Sequence, residues 1–372
     1  MKIAMVTKQM LFGYGIDEVV HILSREMARR GYEIDVITSQ REVQPDGYQV
    51  IVFKPLLIPF ANSYWQTHFL QDFRSVTPIT RILKDYDVTV TFDPMHLIGA
   101  IAKLTLRVPI MAYYFGVVPP NVLDSPARRL ESMRQRLIWN TSFVFADCIM
   151  TNSKHSRGLL PKHLRSKAIV NYHGIEHIIN RDTKLSPMEF KEKLNIQGKK
   201  LILSVARFSS PYKNMSGMVR RFKRLKKRIP NIALLLVGRG SPREIKPFCQ
   251  LEDTFVLANI SNKLLRVCFA SCDVYCSTSL WEGYNIPLVA AQTNGKPVVA
   301  YRVGAHSEVV ADKITGFLAE TDREFDNYLA DLLENEDLRK RMGREAAEHA
   351  KKFTWDSSVE KFEDTIRKVS RI

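Results

Sequence analysis

The opening forty residues constrain the fold more than any other feature of this chain. Lys2-Ile3-Ala4-Met5-Val6-Thr7 is a short, almost unbroken apolar run of the kind carried by a strand buried on both faces. It leads through the glycine loop Phe12-Gly13-Tyr14-Gly15-Ile16 into a helical period from Ile16 to Arg30, which Gly31 ends where a left-handed cap is favoured. A second strand pattern, Glu33 to Thr38, follows at once. Strand, helix and strand in so short a span form a βαβ unit, which demands a parallel sheet and a right-handed crossover.

The alternation recurs. Strand patterns appear at Val88 to Phe92, Pro109 to Tyr114, Cys148 to Thr151 and Ala168 to Asn171, with a helix from Ser125 to Phe145 among the connections. Near residue 178 the chain turns polar, Asn180-Arg181-Asp182-Thr183-Lys184, and Ser186-Pro187-Met188-Glu189 then reads as a capping box with proline at the first helical position. A second series runs through Leu201 to Val205, Ala233 to Val237, Thr254 to Leu257, Val274 to Cys276 and Pro297 to Ala300. The 372 residues exceed the ~250–300 at which one core stops growing. Two α/β domains in tandem are expected, residues 1–178 and 179–354. The last helix, Asp356 to Val369, carries Val359, Phe362, Ile366 and Val369 on one face.

Composition narrows the class. With 45% hydrophobic and 25% charged residues the chain is neither disordered nor fibrous. Its longest apolar stretches, Val50 to Phe60 and Ile98 to Val118, are broken by Lys54, Lys103, Arg107 and prolines, so no membrane span is expected. The first residues lack the apolar length of a secretory signal, and a cytosolic protein is expected. Cys268, Cys272 and Cys276 recur every four residues without a nearby histidine and read as small buried hydrophobes. The net charge of +16 admits nucleic acid, an anionic membrane or a phosphate-bearing small molecule. Its densest run, Arg220 to Arg228, alternates with Met218, Val219, Phe222, Leu225 and Ile229, which reads as a solvated helix face over a buried stripe. Nothing in the chain reads as a nucleic-acid module, and no nucleic-acid partner is expected.

Three segments carry residues suited to chemistry. Gly13 and Gly15 lie between a strand and a helix, where free amides and the helix dipole favour a phosphate; Glu18 stands where a dinucleotide fingerprint has its third glycine. Arg207 and Lys213 follow the strand Leu201 to Val205, at the end where doubly wound sheets bind ligands and where a diphosphate leaving group needs neutralising. In Ser279-Leu280-Trp281-Glu282-Gly283-Tyr284-Asn285-Ile286-Pro287, Glu282 is an acceptor for sugar hydroxyls with backbone amides close by.

The ordered series Gly15, Arg207 with Lys213, Ser279-x-x-Glu282-Gly283-Tyr284, Gly295-Lys296-Pro297-Val298-Val299-Ala300 and Gly304 to Glu308 resembles glycosyltransferase family 4. The resemblance spans nearly the whole chain and includes Ala28-Arg29-Arg30-Gly31-Tyr32-Glu33, Ala146-Asp147 to Ser153, His173-Gly174-Ile175-Glu176 and Gly238-Arg239-Gly240. It implies the GT-B fold: two facing Rossmann-like, doubly wound domains with residues 355–372 crossing back onto the first. It also implies transfer of a sugar from a UDP- or GDP-sugar with retention of configuration and without a metal ion. On this basis Arg207 and Lys213 hold the donor diphosphate, Glu282 faces the sugar with Gly283, Tyr284, Asn285 and Ile286, and Gly15 approaches the phosphates.

Two positions depart from the family pattern. Its second glutamate is here Ala290 and its usual histidine is Phe115, which keeps open a second reading, a non-catalytic binding or scaffold protein. Asp93 and His96 end a strand as polar candidates, with a structural role as the alternative. Asp85-Tyr86-Asp87 matches a metal motif of another glycosyltransferase fold, but no metal or other cofactor is expected. The acceptor is expected to be a glycan or a lipid-linked molecule. The basic segment Ser125 to Trp139, with Leu130, Met133, Leu137 and Ile138 on one stripe, is either an ordinary packed helix or a surface resting on anionic lipid at the inner face of the cell membrane.

Overall fold

The computed structural model describes residues 1–11, 15–53, 79–176, 185–249 and 251–371. Contacts divide the chain into two units, Met1–Asn121 with Ser125–His173 and Asp356–Ile372, and Val122–Asp124 with Gly174–Trp355. The candidate glycine Gly13 lies outside the described residues.

The first unit holds β1 (Lys2–Val6), β2 (Glu33–Thr38), β3 (Gln49–Val52), β4 (Val88–Phe92), β5 (Ile110–Tyr114), β6 (Cys148–Thr151) and β7 (Ala168–Val170). They form one parallel sheet in the order β3-β2-β1-β4-β5-β6-β7. Met5 of β1 pairs with Val36 on one side and Val90 on the other, so the chain builds outward in one direction, returns, and builds in the other. The second unit repeats this with β8 (Lys200–Val205), β9 (Ile232–Gly238), β10 (Thr254–Ala258), β11 (Val274–Ser277), β12 (Val298–Tyr301) and β13 (Gly316–Ala319), in the order β10-β9-β8-β11-β12-β13. Each sheet therefore has a switch point, between β1 and β4 and between β8 and β11. The sequence pattern locates eleven of these strands to within a residue or two. The edge strands β3 and β13 escape it: β3 is half-buried and β13 begins at Gly316.

The helix Met215–Arg228 buries Met218, Val219, Phe222 and Leu225 as the periodicity requires. Its basic run is a solvated face as expected, with Arg220, Lys223, Arg224, Lys227 and Arg228 exposed, except at Arg221. Arg221 is 3% exposed and bonds Asp322, Asp326 and Tyr301, while Arg224 pairs with Asp326, Lys226 with Asp253 and Arg228 with Glu334. Burial pushes the Asp253 carboxyl up, but hydrogen bonds from Lys199 and Lys226 outweigh it and hold it below the usual range. The four basic side chains are tied to acids of their own unit. Cys268, Cys272 and Cys276 are buried, and burial pushes the first two thiols up to about 12.

The helix Pro126–Val144 is inverted. It turns Ser132, Trp139, Ser142 and Phe143 inward and leaves Leu130, Met133 and Leu137 at 57%, 57% and 67% exposure. The helix is packed, and of the expected stripe Ile138 lies against the core while these three side chains do not. Among the described residues no helix is long and apolar enough to cross a membrane.

The helix Trp355–Val369 joins the first unit from Asp356 onward. Val359, Phe362, Ile366 and Val369 are buried, the Phe362 ring stacks 6.3 Å from Tyr113, and the Asn171 amide donates to the Ser358 carbonyl at 3.0 Å. On its outer side Glu363 accepts from Arg30 at 2.6 Å, Tyr32 at 2.8 Å and Arg367 at 2.6 Å. Burial acts to raise the Glu363 carboxyl, but these three donors outweigh it and hold it below the ordinary range. A carboxyl depressed in the folded state contributes stability above its unfolded pKa and loses that contribution as pH falls through the folded one. Glu363→Gln should therefore cost on the order of 1 kcal/mol at neutral pH and less as the pH falls below about 4. Urea midpoints across pH 3–7 check this, and a cost constant with pH contradicts it.

Candidate active site

In an open parallel sheet every strand points its carboxyl end to one edge, and at the switch point two neighbouring ends diverge and leave a crevice between them. In the second unit those ends belong to β8 and β11. The loop after β8 carries Arg207 and Lys213, the loop after β11 carries Glu282, and strand pairing brings together groups far apart in sequence. Lys213 Nζ donates to both Glu282 oxygens at 2.7 Å. The Lys213 side chain is 18% and that of Glu282 6% exposed. Arg207 donates to the Tyr212 hydroxyl at 3.2 Å, and Lys213 Nζ sits 5.4 Å from the Tyr212 ring centre. Tyr212 thus touches both cations, a role that sequence reasoning missed although the residue lies between them.

The backbone holds this arrangement. Lys213 ends a short 3₁₀ turn, Pro211–Lys213, and Asn214 follows at φ 52°. Asn214 caps the next helix by accepting from the Gly217 amide at 3.1 Å, a tolerated use of asparagine in the left-handed region. The Leu280 amide donates to the Tyr212 carbonyl at 2.7 Å, and the Thr278 hydroxyl to the Asn214 carbonyl at 2.8 Å. The two loops are therefore stitched together on either side of the ion pair. Gly283 and Tyr284 are buried after Glu282, and Asn285, at φ 72°, caps the helix Ile286–Thr293. Glu308 lies on the short helix His306–Val309 behind this loop. Ala290 is fully buried within its helix.

The remaining candidates belong to the first unit. Gly15 is the exposed first residue of the helix Gly15–Arg29 after β1. The buried Asp17 carboxylate accepts from the Leu11 amide at 2.9 Å and so fixes the chain before that helix. His96 and Asp93 follow β4, on the other side of the switch point, but the side chains point inward. His96 Nε2 meets Asp93 Oδ1 at 2.5 Å, its Nδ1 meets the Thr91 hydroxyl at 3.1 Å, and the ring packs edge-on against Trp139 and Phe143. Asp93 also accepts from the Phe115 amide at 3.1 Å. Burial raises the Asp93 carboxyl against these hydrogen bonds. Both histidine nitrogens are thus engaged inside the core, in a tie between β4 and β5. Phe115 stacks on Tyr113 at 4.9 Å and on His173 at 5.5 Å; burial pushes the His173 imidazole down to about 3. Asp87, of the Asp-x-Asp match, accepts from the Lys2 amide at 2.7 Å. Among the described residues no group of three or more His, Cys, Asp or Glu side chains is placed to hold a metal ion.

Residues 187–349 match the family Glycosyl transferases group 1, and residues 14–177 match Glycosyltransferase Family 4. The chain belongs to these glycosyltransferases. An uncharacterised glycosyltransferase of Methanocaldococcus jannaschii is 27% identical over 278 residues, 72% of this chain and 70% of that protein. Sucrose-phosphate synthase from Thermosynechococcus elongatus superposes with a TM-score of 0.81 over 99% of this chain and 98% of that one, at 17% identity. Anabaena HepE, in complex with UDP and glucose, superposes with a TM-score of 0.79 over 99% and 100%, at 18% identity. The two likenesses show that this glycosyltransferase has the GT-B fold.

In this glycosyltransferase the Lys213–Glu282 pair is buried enough for its loss to be felt in stability. Lys213→Met leaves an uncompensated carboxylate and should cost about 3 kcal/mol at neutral pH. Lys213→Met combined with Glu282→Gln should regain much of that cost. Thermal midpoints of the single and double variants at neutral pH check both expectations; equal midpoints for wild type and Lys213→Met contradict them.

Proposed function

We propose that this glycosyltransferase moves a sugar from a UDP- or GDP-sugar, with retention of configuration, to a glycan or lipid-linked acceptor. The observation that carries the donor class is the pair of cations, Arg207 and Lys213, sharing Tyr212 at the carboxyl end of β8 beside the switch point. The complex of HepE with UDP supports the same class of ligand. In this reading the glycosidic bond to the diphosphate breaks with its electron pair leaving on the phosphate oxygen, and Arg207 and Lys213 stabilise the charge that develops there. Lys213 exchanges Glu282 for phosphate, which frees the Glu282 oxygens to accept from sugar hydroxyls. The amides from Gly283 to Ile286 bind the sugar beside it, Glu308 supports the loop, and Gly15 serves the phosphates. The acceptor oxygen attacks the anomeric carbon and its proton passes to the departing phosphate. Metal ions and other cofactors have no part in this scheme, because the two cations neutralise the diphosphate.

The test is incubation with a panel of UDP- and GDP-sugars, reading nucleotide release and thermal stabilisation. Arg207→Ala should lower kcat by about 10²–10³-fold, the usual size for one lost donor to a developing oxyanion. Stabilisation by a donor without release under any acceptor tried favours the non-catalytic reading that Ala290 and Phe115 suggest. Neither signal with any donor overturns the assignment.

A second observation bears on the acceptor. Leu130, Met133 and Leu137 project from the helix Pro126–Val144, and Val144 and Phe145 are exposed at its end. Arg128, Arg129 and Arg136 stand on the same helix, while Arg134 is paired with Glu131. An exposed apolar stripe on a helix that also carries basic side chains is suited to rest in an anionic lipid surface, which fits a lipid-linked acceptor at the cytoplasmic face of the cell membrane. Flotation should be strong with anionic vesicles and weak with neutral ones, and Leu130→Asp with Leu137→Asp should abolish it. Equal flotation with both lipids, or none, removes the membrane from the proposal.

A further inference from the structure

Behind the Glu282 loop lies a hydrogen-bonded relay that neither composition nor motif order announces. The Asn285 side chain makes three bonds. It accepts from the Leu288 amide at 3.3 Å, and its nitrogen lies 3.1 Å from the Ser277 hydroxyl and 2.8 Å from His306 Nε2. His306 Nδ1 lies 2.6 Å from the Tyr301 carbonyl. The residues of the relay are buried, and His306 is fully so.

Donor and acceptor bookkeeping then fixes the protons. The Leu288 amide can only donate, so it faces Asn285 Oδ1, and the Asn285 NH₂ must face His306. The Tyr301 carbonyl can only accept, so His306 Nδ1 carries a hydrogen. Nε2 is left as the acceptor for Asn285. The imidazole is thereby neutral and of one tautomer, and it ties the end of β12 to the first turn of the helix Ile286–Thr293.

The segment that carries His306 also grips the other end of the loop. The Ala305 amide donates to the Glu282 carbonyl at 3.1 Å. Gly304, at φ 55°, approaches so closely that a Cβ there would lie 2.0 Å from the same carbonyl oxygen. Val303 to His306 thus clamps the turn at Glu282 through backbone and at Asn285 through a side chain.

We propose that His306 is a positioning residue for the sugar-binding loop, acting through Asn285 to fix the turn Glu282–Asn285 and the first amides of the following helix. The inference rests on the donor reading above for what the loop binds, and on geometry alone for the relay. In the donor reading the loop that His306 positions binds the sugar end of the donor, whereas Arg207 and Lys213, on the loop after β8, bind the diphosphate. A defect should therefore appear in affinity for the nucleotide-sugar and spare affinity for the bare nucleotide.

Three variants separate positioning from simple folding. Asn285→Gly keeps the left-handed backbone at no steric cost and removes only the side chain. His306→Asn retains a donor where Nδ1 sits and loses the acceptor toward Asn285, whereas His306→Gln places an amide oxygen where Nε2 sits. Asn285→Gly and His306→Asn should weaken binding of the nucleotide-sugar by about tenfold, with UDP or GDP binding unchanged. His306→Gln should restore most of the loss. The ¹⁵N spectrum of histidine-labelled protein should show His306 with a protonated Nδ1 and an unprotonated Nε2. The proposal is overturned if Asn285→Gly binds the nucleotide-sugar like wild type, if bare nucleotide and nucleotide-sugar weaken together, or if Nε2 carries the proton. A wild-type protein that binds no nucleotide-sugar overturns the donor reading and with it the loop's assigned ligand, while the spectrum still decides the tautomer.

Discussion

In a parallel sheet all carboxyl ends meet one edge, and a reversal of strand order leaves a gap between two of them. The pairing of β8 with β11, Ile202 opposite Val274 and Leu203 opposite Tyr275, sets such a gap in the second unit. Two strands separated by about seventy residues of chain thus deliver Lys213 and Glu282 to within 2.7 Å of each other. An ion pair this buried has a desolvation cost that its geometry and neighbouring hydrogen bonds must offset. Here the surrounding stitches, from Leu280 to Tyr212 and from Thr278 to Asn214, hold both loops at the required separation.

Left-handed asparagines recur at the turning points. Asn214 and Asn285 each stand at positive φ, and each caps the helix that follows. A glycine would reach the same backbone conformation, but it would forfeit the cap and, at Asn285, the link to Ser277 and His306. Polar chemistry at these positions does two jobs with one residue, shaping the turn and fixing the amides that follow it. Gly304 shows the converse, a place where close approach to the Glu282 carbonyl leaves no room for any side chain.

Charge is divided by location. In the second unit Arg221, Arg224, Lys226 and Arg228 of the basic run pair with acids of the unit, Asp322, Asp326, Asp253 and Glu334. On the helix Pro126–Val144 the basic side chains accompany exposed leucine and methionine. The two segments look alike in composition, and only their surroundings tell them apart.

Much of the architecture was legible in the sequence, because a strand buried on both faces leaves an apolar run and a strand-to-helix turn needs glycine or a cap. Eleven strands, the helix after β1, the last helix and the candidate cations could be read that way. The edge strands β3 and β13 could not: β3 is only half-buried, and β13 is four residues beginning at a glycine. Nor could the fate of particular side chains. Periodicity places Leu130, Met133 and Leu137 on one stripe without saying which way the stripe faces, and it places His96 at the end of β4 without saying that Asp93 and Thr91 hold it in the core. Contacts between Tyr212, Lys213 and Glu282, and between Asn285 and His306, depend on strand order and loop path. Local sequence specifies the elements through their own burial and caps; which elements become neighbours is decided by the whole sheet, and that choice assembled the site.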